Sequence, residues 1–397
     1  SHAEIKSITL TTKTSPGMIG FISSKDIPKI ANSFSVSALR DERVFAESRV
    51  ECCGQIIGIM IADTRDNAKL AAKNVCIEYD TLEPVLSIED AIEKSSFFPL
   101  NNSGLISGTP EEALKNAEYI LEGEVRTGGQ EHFYLEPQCG LVVPEENGGI
   151  SVHSSTQNPT ETQSCISEML NIPMSKVNVL VKRIGGGFGG KETRSIPFIL
   201  ASTWASVKYG RPIRFALERD EDMIMTGYRH PFLGRYKIGF NSQGIIQALD
   251  LELYANAGYT MDLSFAAMER ALLHAENSYH ISNIKVKGFL CKTNLPSNTA
   301  FRGFGGPQIM MIVEHYIEKI AFRLNLPPEV VRKRNLYQEG DFTYYGQKLS
   351  DCTLLRCWEE CVSRFKGMRT EIEEFNAANK WVKRGLAIVP TNTESPL

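Results

Sequence analysis

Between Gly185 and Glu192 the chain reads Gly-Gly-Gly-Phe-Gly-Gly-Lys-Glu, five glycines around a single phenylalanine. A backbone this free of Cβ atoms enters the left-handed region at little steric cost and lets another body lie directly against the main chain. The flanks say where the loop sits. Val177 to Ile184 alternates apolar and polar residues as a half-buried strand does, and Thr193 to Val207 has the apolar spacing of a helix. The loop is therefore predicted to join strand to helix, and its last residues to open that helix with unpaired N–H groups that favour an anion. A glycine-rich turn before a helix is also common with no ligand at all, so this loop alone leaves both readings open.

A second cluster repeats the chemistry. Asn294 to Pro307 reads Asn-Leu-Pro-Ser-Asn-Thr-Ala-Phe-Arg-Gly-Phe-Gly-Gly-Pro, with Arg302 two residues before Phe304 and a helical pattern from Gln308 onward. Further stretches are Gly129 to Glu136 (Gly-Gln-Glu-His-Phe-Tyr-Leu-Glu), Ser155-Thr156-Gln157-Asn158, Arg219 to Met223 and Arg229-His230-Pro231-Phe232. In these motifs and their order the chain resembles the molybdenum-binding portion of the molybdo-flavoenzyme family that includes xanthine dehydrogenase and aldehyde oxidase. The resemblance covers nearly the whole chain. It implies an α+β fold: an α/β hammerhead-like domain followed by a mixed α+β molybdopterin-binding region, truncated on the C-terminal side.

Bulk properties narrow the partners. A length of 397 residues allows two or three domains with substantial cores. The formal net charge of −4 and a pI near 6.1 give no global basic field, so neither nucleic acid nor an anionic membrane surface is suggested. No apolar run reaches the roughly 18 residues of a membrane span, and Ser1 to Leu10 lacks a signal-peptide pattern. The absent initiator Met suggests a fragment or a processed chain. Nine scattered cysteines, without a compact framework, point to reduced thiols in the cytoplasm; a peroxisomal location is the alternative expectation, one that cysteine usage does not address. Cys357 and Cys361, four apart beside Trp358 and close to Cys352, read as one face of a helix in preference to a metal site.

In chain order, residues 1–95 form the first unit. Gly54 to Ala62 is a strand, Thr64 caps a helix from Arg65 to Val75 that buries Ala68, Leu70, Ala71 and Val75, and Cys76 to Tyr79 returns as a strand. The resemblance makes this β–α–β unit the hammerhead domain, with its first strand expected before Ser1. Residues 96–116, broken by Gly and Pro as far as Pro110, read as a linker. The resemblance then assigns 117–345 to a first molybdopterin-binding domain and 346–397 to the start of a second. Strands are predicted at Glu118 to Thr127, Ile150 to Thr156 and Arg211 to Glu218. A hairpin is predicted about Asn241-Ser242-Gln243-Gly244, and helices at Glu161 to Leu170, Gln308 to Leu324 and Pro327 to Asn335. A helical segment follows Tyr345, then a strand from Trp381 to Pro390. His132 and Glu136 lie four apart, but their β-rich surroundings favour a packed, hydrogen-bonded histidine over a metal pair. Arg219 to Asp222 reads as a solvated face or a salt-bridge network.

Two further residues stay ambiguous on their own terms. Gln157, at a strand end, reads as an amide closing a turn, although such an amide can also donate to a metal oxo group. Arg270, inside Ala-Met-Glu-Arg-Ala-Leu-Leu-His, either pairs with an acid such as Glu269 or offers its fork to a ligand, and spacing favours the ion pair.

The resemblance implies more. It places Gln157, Phe188 and Arg302 around a molybdenum–molybdopterin cofactor, as the surroundings of the metal, the last two largely through their main chain. Gly187 and Gly189 would allow the close approach. The implied substrate is a purine, hypoxanthine going to xanthine and xanthine to urate with oxygen from water. Glu192 and Arg270 would recognise opposite edges of the ring, and Phe304 would lie against its face. A carboxylate accepts from ring N–H groups, or donates when protonated, and a guanidinium stabilises charge developing on a carbonyl oxygen. Aldehyde oxidases share both glycine loops but generally lack this acid and this arginine, which leaves aldehyde oxidation as the lesser alternative. A non-catalytic fragment or binding module is another. The family's general-base glutamate is expected beyond Leu397, so the isolated chain is expected to turn over little or not at all. Two [2Fe-2S] clusters and FAD are expected in preceding segments, with NAD or O2 as electron acceptor and a homodimeric parent enzyme.

Overall fold

The computed structural model describes residues 2–11, 15–36, 39–99 and 104–392. Its largest sheet has five strands in the order Gly104–Ser107, Ile284–Lys292, Ile246–Gly258, Phe232–Phe240, Tyr119–Thr127. Phe232–Phe240 and Ile246–Gly258 are the two arms of the predicted hairpin. Gly244, at φ 76°, donates to the Asn241 carbonyl at 2.8 Å, while Asn241 Oδ1 accepts from the N–H groups of Gln243 and Ile245 at 3.0 Å each. Ile246–Gly258 and Ile284–Lys292 run parallel, which requires a crossover, and the helix Ser264–Leu273 supplies it. This helix and Gly306–Leu324 cover the sheet with Met268, Leu272, Ile309, Ile312, Val313 and Tyr316, packed on Leu249, Leu251 and Leu253. Each such side chain contributes about 1.5–3 kcal/mol on burial.

A second sheet orders Val177–Leu180, Ile150–Ser154, Cys139–Pro144 and Ile213–Ala216, beneath the helices Pro159–Leu170 and Ile196–Tyr209. Its core continues into the N-terminal unit, where Ile22, Phe34, Val44, Phe45 and Ile61 join Val142, Val152, Ile166 and Ile199. In that unit Ala3–Leu10 lies between Arg49–Val50 and Val75–Thr81, and Met18–Ser23 pairs with Gly58–Ala62. No described helix is long and apolar enough to cross a membrane.

Several expectations change. Thr64 does cap the helix Arg65–Ala72, its hydroxyl accepting from Asn67 N–H at 3.2 Å, but the strands on either side join different sheets, so the unit is not a β–α–β within one sheet. That helix buries Ala71 and leaves Leu70 exposed. The expected linker is built into the fold: Phe98 is buried, Gly104–Ser107 is an edge strand of the large sheet, and Pro110–Asn116 is a helix. Arg219 to Asp222 is a solvated face only in part: Asp220 and Glu221 are exposed, and Asp222 is not. It opens the helix Arg219–Met225, and Asp222 is buried, accepting from Tyr134 Oη and the Gln138 N–H at 2.6 Å each. Trp381 to Pro390 joins no described sheet; Ile388 packs on the large core and Asn277 Nδ2 donates to the Pro390 carbonyl at 3.1 Å. Cys357 and Cys361 do share the helix Leu354–Arg364. Among the described residues every cysteine is free, and no three metal-ligating side chains converge.

Candidate functional site

The two glycine loops meet. Arg302 N–H donates to the Phe188 carbonyl at 3.0 Å, and Gly189, at φ 101°, lies so close to Ala300 that a Cβ would overlap its carbonyl oxygen. Phe188 and Phe304 both sit at positive φ, 54° and 47°. For a non-glycine residue this costs of order 1–3 kcal/mol and persists only where the surroundings hold it. Phe188 is nonetheless 48% exposed, while Phe304 is half-buried and stacks on no described ring.

The loop does not run directly into a helix. Lys191 to Ser195 form turns, and the helix begins only at Ile196. The donors available to an anion are therefore in the loop itself. The N–H groups of Gly185, Gly189, Gly190, Lys191 and Glu192 all reach protein acceptors. Those of Gly186, Gly187 and Phe188 meet none among the described residues. Three consecutive unpaired donors beside an exposed ring suit an anionic group laid against the main chain.

Gln157 faces this loop. Its Oε1 accepts from Gly189 and Lys191 N–H at 2.9 and 3.3 Å, and its own N–H donates to the Lys191 carbonyl at 2.8 Å. A Cβ on Gly187 would come within 2.5 Å of Gln157 Oε1, so a side chain there would displace the Gln157 amide from this position. The amide oxygen closes the turn, and Nε2 has no partner among the described residues.

Behind the loop stands a polar frame that periodicity and spacing did not reveal. Lys191 is fully buried, and its Nζ donates to Glu136 Oε2 at 2.8 Å and Ser155 Oγ at 2.7 Å, 4.7 Å from the centre of the Tyr134 ring. Burial raises the Glu136 carboxyl, but the bonds from Lys191, Ser155 and Gly185 outweigh it and bring the pKa to about 2. His132 is packed as expected: Nε2 lies 2.7 Å from the Ala300 carbonyl, the ring stacks on Phe301 at 4.6 Å, and burial lowers its pKa.

Glu192 is half-buried and its carboxylate has no hydrogen-bond partner among the described residues; burial, then the Asp262 charge, raise its pKa. Arg270 lies on Ser264–Leu273 and forms no ion pair with Glu269 or any other described acid, and its Nε is buried without a partner. The ion pair favoured by spacing is thus not made. Arg194, two residues after Glu192, links the two regions. Its guanidinium donates to Glu42 at 2.9 and 2.7 Å and to Asp262 Oδ1 at 3.1 Å, just before the Arg270 helix. On the other side, Gly305 of the second loop, at φ 89°, packs so closely on Ala267 of the same helix that a Cβ would overlap its carbonyl oxygen.

Known proteins share this sequence and this fold. Residues 97–336 match the molybdopterin cofactor-binding domain, and residues 1–83 match the aldehyde oxidase and xanthine dehydrogenase a/b hammerhead domain. The xanthine dehydrogenase/oxidase of Gallus gallus is 49% identical and that of Felis catus 50%, and the xanthine dehydrogenase of Oryza sativa subsp. japonica is 47% identical. In each case 98% of this chain is covered, and the chain spans 29% of the relative's length. The aldehyde oxidoreductase from Desulfovibrio gigas superposes with a TM-score of 0.86 at 23% identity, over 94% of this chain and 43% of that one, and so shares the fold. The chain belongs to the aldehyde oxidase and xanthine dehydrogenase family, carrying its a/b hammerhead domain and its molybdopterin cofactor-binding domain.

Proposed function

We propose that this chain forms the cofactor-binding and purine-recognising wall of a molybdenum hydroxylase that oxidises hypoxanthine to xanthine and xanthine to urate. Bound molybdopterin supplies the metal chemistry that moves oxygen from water to the ring carbon. The free N–H groups of Gly186, Gly187 and Phe188, with Gln157 Nε2, would hold that cofactor. Phe188 and Arg302 would contribute mainly through backbone, and Gly187 and Gly189 by letting it close in.

The observation that carries the purine reading is the pair Glu192 and Arg270. Each is half-buried and has no charged partner among the described residues, on segments tied together through Arg194 and Asp262. Partly desolvated charges left unpaired cost free energy unless a ligand supplies the partner. A purine offers both, ring N–H and N for the carboxyl and a carbonyl oxygen for the guanidinium, with the Phe304 ring at its face. The raised pKa of Glu192 also makes the protonated, donating form more accessible than in an ordinary glutamate. Small aldehydes need neither group. In the full-length protein, Glu192→Val with Arg270→Met should lower kcat/KM for xanthine by about 10²–10³, as the loss of a transition-state charge stabiliser does, and shift preference to aldehydes. Retained xanthine turnover would refute the assignment.

In the same proposal the N-terminal unit runs to about residue 95, the first molybdopterin-binding domain reaches to 345 and takes in 97–116, which joins its large sheet, and 346–397 opens a second; the family matches at 1–83 and 97–336 support this division. Two [2Fe-2S] clusters, FAD and an acceptor, NAD or O2, would complete the electron path in a cytoplasmic or peroxisomal homodimer.

A further inference from the structure

Arg229, in the stretch Arg229-His230-Pro231-Phe232, has no task in the site described so far. It is 7% exposed and sits against the second glycine loop. Nη2 donates to the Arg302 carbonyl at 2.7 Å, Nη1 to the Phe301 carbonyl at 3.4 Å and Nε to Gln130 Oε1 at 2.8 Å, and the guanidinium lies 4.1 Å from the centre of the Phe301 ring. Every one of these partners is neutral. No carboxylate pairs with it among the described residues, whereas the buried Arg194 and Arg332 each meet two acids. Burial lowers its pKa to about 10, which leaves it a cation at neutral pH, desolvated and uncompensated. An unpaired buried charge is costly and persists where something else supplies the opposite sign.

The surroundings fix this charge at the meeting point of the site's elements. The neighbouring His230 places Nε2 2.8 Å from Ser264 Oγ, at the start of the Arg270 helix, and its carbonyl accepts from Gln308 Nε2 at 3.2 Å, at the start of Gly306–Leu324. A trans peptide points its N–H away from its C=O. The carbonyl that Nη2 holds belongs to the Arg302–Gly303 peptide, so the Gly303 N–H points to the far side, and it has no acceptor among the described residues. A cation on the oxygen of a peptide makes its N–H a stronger donor.

We propose that Arg229 is a positioning residue for the anionic cofactor. It holds the Phe301–Gly303 backbone in place, polarises the free Gly303 N–H toward the cofactor and provides the positive charge that the cofactor neutralises. This rests on the molybdopterin reading above.

The test uses the full-length protein, unsubstituted and as Arg229→Gln and Arg229→Lys, each made with and without molybdopterin synthesis in the host. Melting temperature, molybdenum per chain and the rate of pterin release are measured. Removing an uncompensated charge should leave the cofactor-free Arg229→Gln protein as stable as the unsubstituted one or more so. The loaded variant should melt lower than loaded unsubstituted protein and release the pterin roughly tenfold faster or more, the scale of losing one charge-assisted contact. Arg229→Lys, which keeps the charge, should release it within about threefold of the unsubstituted rate. If both forms of Arg229→Gln shift together in either direction, Arg229 is merely structural and the inference fails; unchanged release in Arg229→Gln also overturns it. Should Arg229→Gln not fold, Arg229→Lys decides, and rapid pterin loss from it counts against the inference. Unsubstituted protein that carries no molybdopterin would instead remove the cofactor reading, and this inference with it.

Discussion

Replacing Arg194 with methionine removes the cation that faces Glu42 and Asp262 in an interior where the three side chains are 4%, 4% and 0% exposed. Two contacts to Glu42, at 2.9 and 2.7 Å, and one to Asp262, at 3.1 Å, disappear together. Asp262 Oδ2 already lacks a partner, and burial raises the Glu42 carboxyl even against the Arg194 charge. Without that charge Glu42 takes up a proton on folding. Starting from its ordinary value of 4.5, this costs about 3.4 kcal/mol at about pH 7, using about 1.36 kcal/mol per pH unit. The figure falls inside the roughly 3–5 kcal/mol typical of a broken buried pair. Hydrogen exchange followed by mass spectrometry should therefore show a loss of protection of about 300-fold in peptides spanning 41–46, 190–199 and 258–266. The sign with pH is fixed. A carboxyl whose folded pKa is raised favours folding most below its unfolded value and loses that advantage as pH rises. The deficit of the variant should thus shrink to about 1.4 kcal/mol at about pH 5.5. Adding Glu42→Gln and Asp262→Asn should restore most of the protection, because no buried charge is then left alone. A loss below tenfold near neutral pH, or one indifferent to pH, would refute the reasoning.

Two further outcomes follow from the loops. Gly189→Ala places a Cβ against the Ala300 carbonyl in a residue at φ 101°, and backbone cannot swing away as a side chain would. It should cost about 2 kcal/mol or more locally and deplete molybdenum in the purified full-length protein while the large-sheet core melts as before; full molybdenum content would contradict this. Lys191→Met deprives Glu136 of its main donor, so its carboxyl should climb from about 2 back toward 4.5. In the unsubstituted protein the stability from this depressed carboxylate is present above 4.5 and lost as pH falls toward about 2. The variant lacks that stability at every pH, so thermolysin should cut near the Gly185–Glu192 loop already at neutral pH and acidification from about 4.5 to about 2 should open it little further; a loop as protected at neutral pH as in the unsubstituted protein would argue against the tie.

What the sequence made legible was whatever repeats over a few neighbours. The hairpin at Asn241 to Gly244, the Thr64 cap and the helix before Asn335 each follow from one local rule, and each is found in place. The glycine loops were legible for a different reason, since few other needs call for so many residues without a Cβ. Long-range partners were not legible. Nothing near Arg194 points to Glu42, 152 positions away, and nothing near Lys191 points to Glu136, 55 away. The pattern of Arg219 to Asp222 was misleading at Asp222, because a charge cluster gives the same local signal whether a member faces water, as Asp220 and Glu221 do, or receives a buried tyrosine hydroxyl. The stretch 96–116 misled in the same way: turn-forming residues mark breaks in the chain, but they do not say whether the pieces between them rejoin a sheet.

The two kinds of residue at the site need one another. Glycine lets a ligand reach the backbone but loses the most conformational freedom on folding, so a loop of five glycines is poorly ordered unless its polar groups are tied from behind. Here the ties come from side chains behind and beside the loops, of which Lys191 and Arg229 are buried: Lys191 and Glu136 hold Gly185, Gln157 holds Gly189 and the Lys191 peptide, and Arg229 holds Phe301 and Arg302. Each bond uses a donor or acceptor on the protein side of the loop. The N–H groups of Gly186, Gly187, Phe188 and Gly303 are left for the other side. A loop held by its own helix would have spent these donors within the chain, whereas one held by side chains keeps them available and still in fixed positions. That division explains why the helix begins at Ile196 and not at the end of the glycine run. It also explains why the charges buried behind the loops, though costly where they stand, would be retained: without them the N–H groups left free would lose their positions.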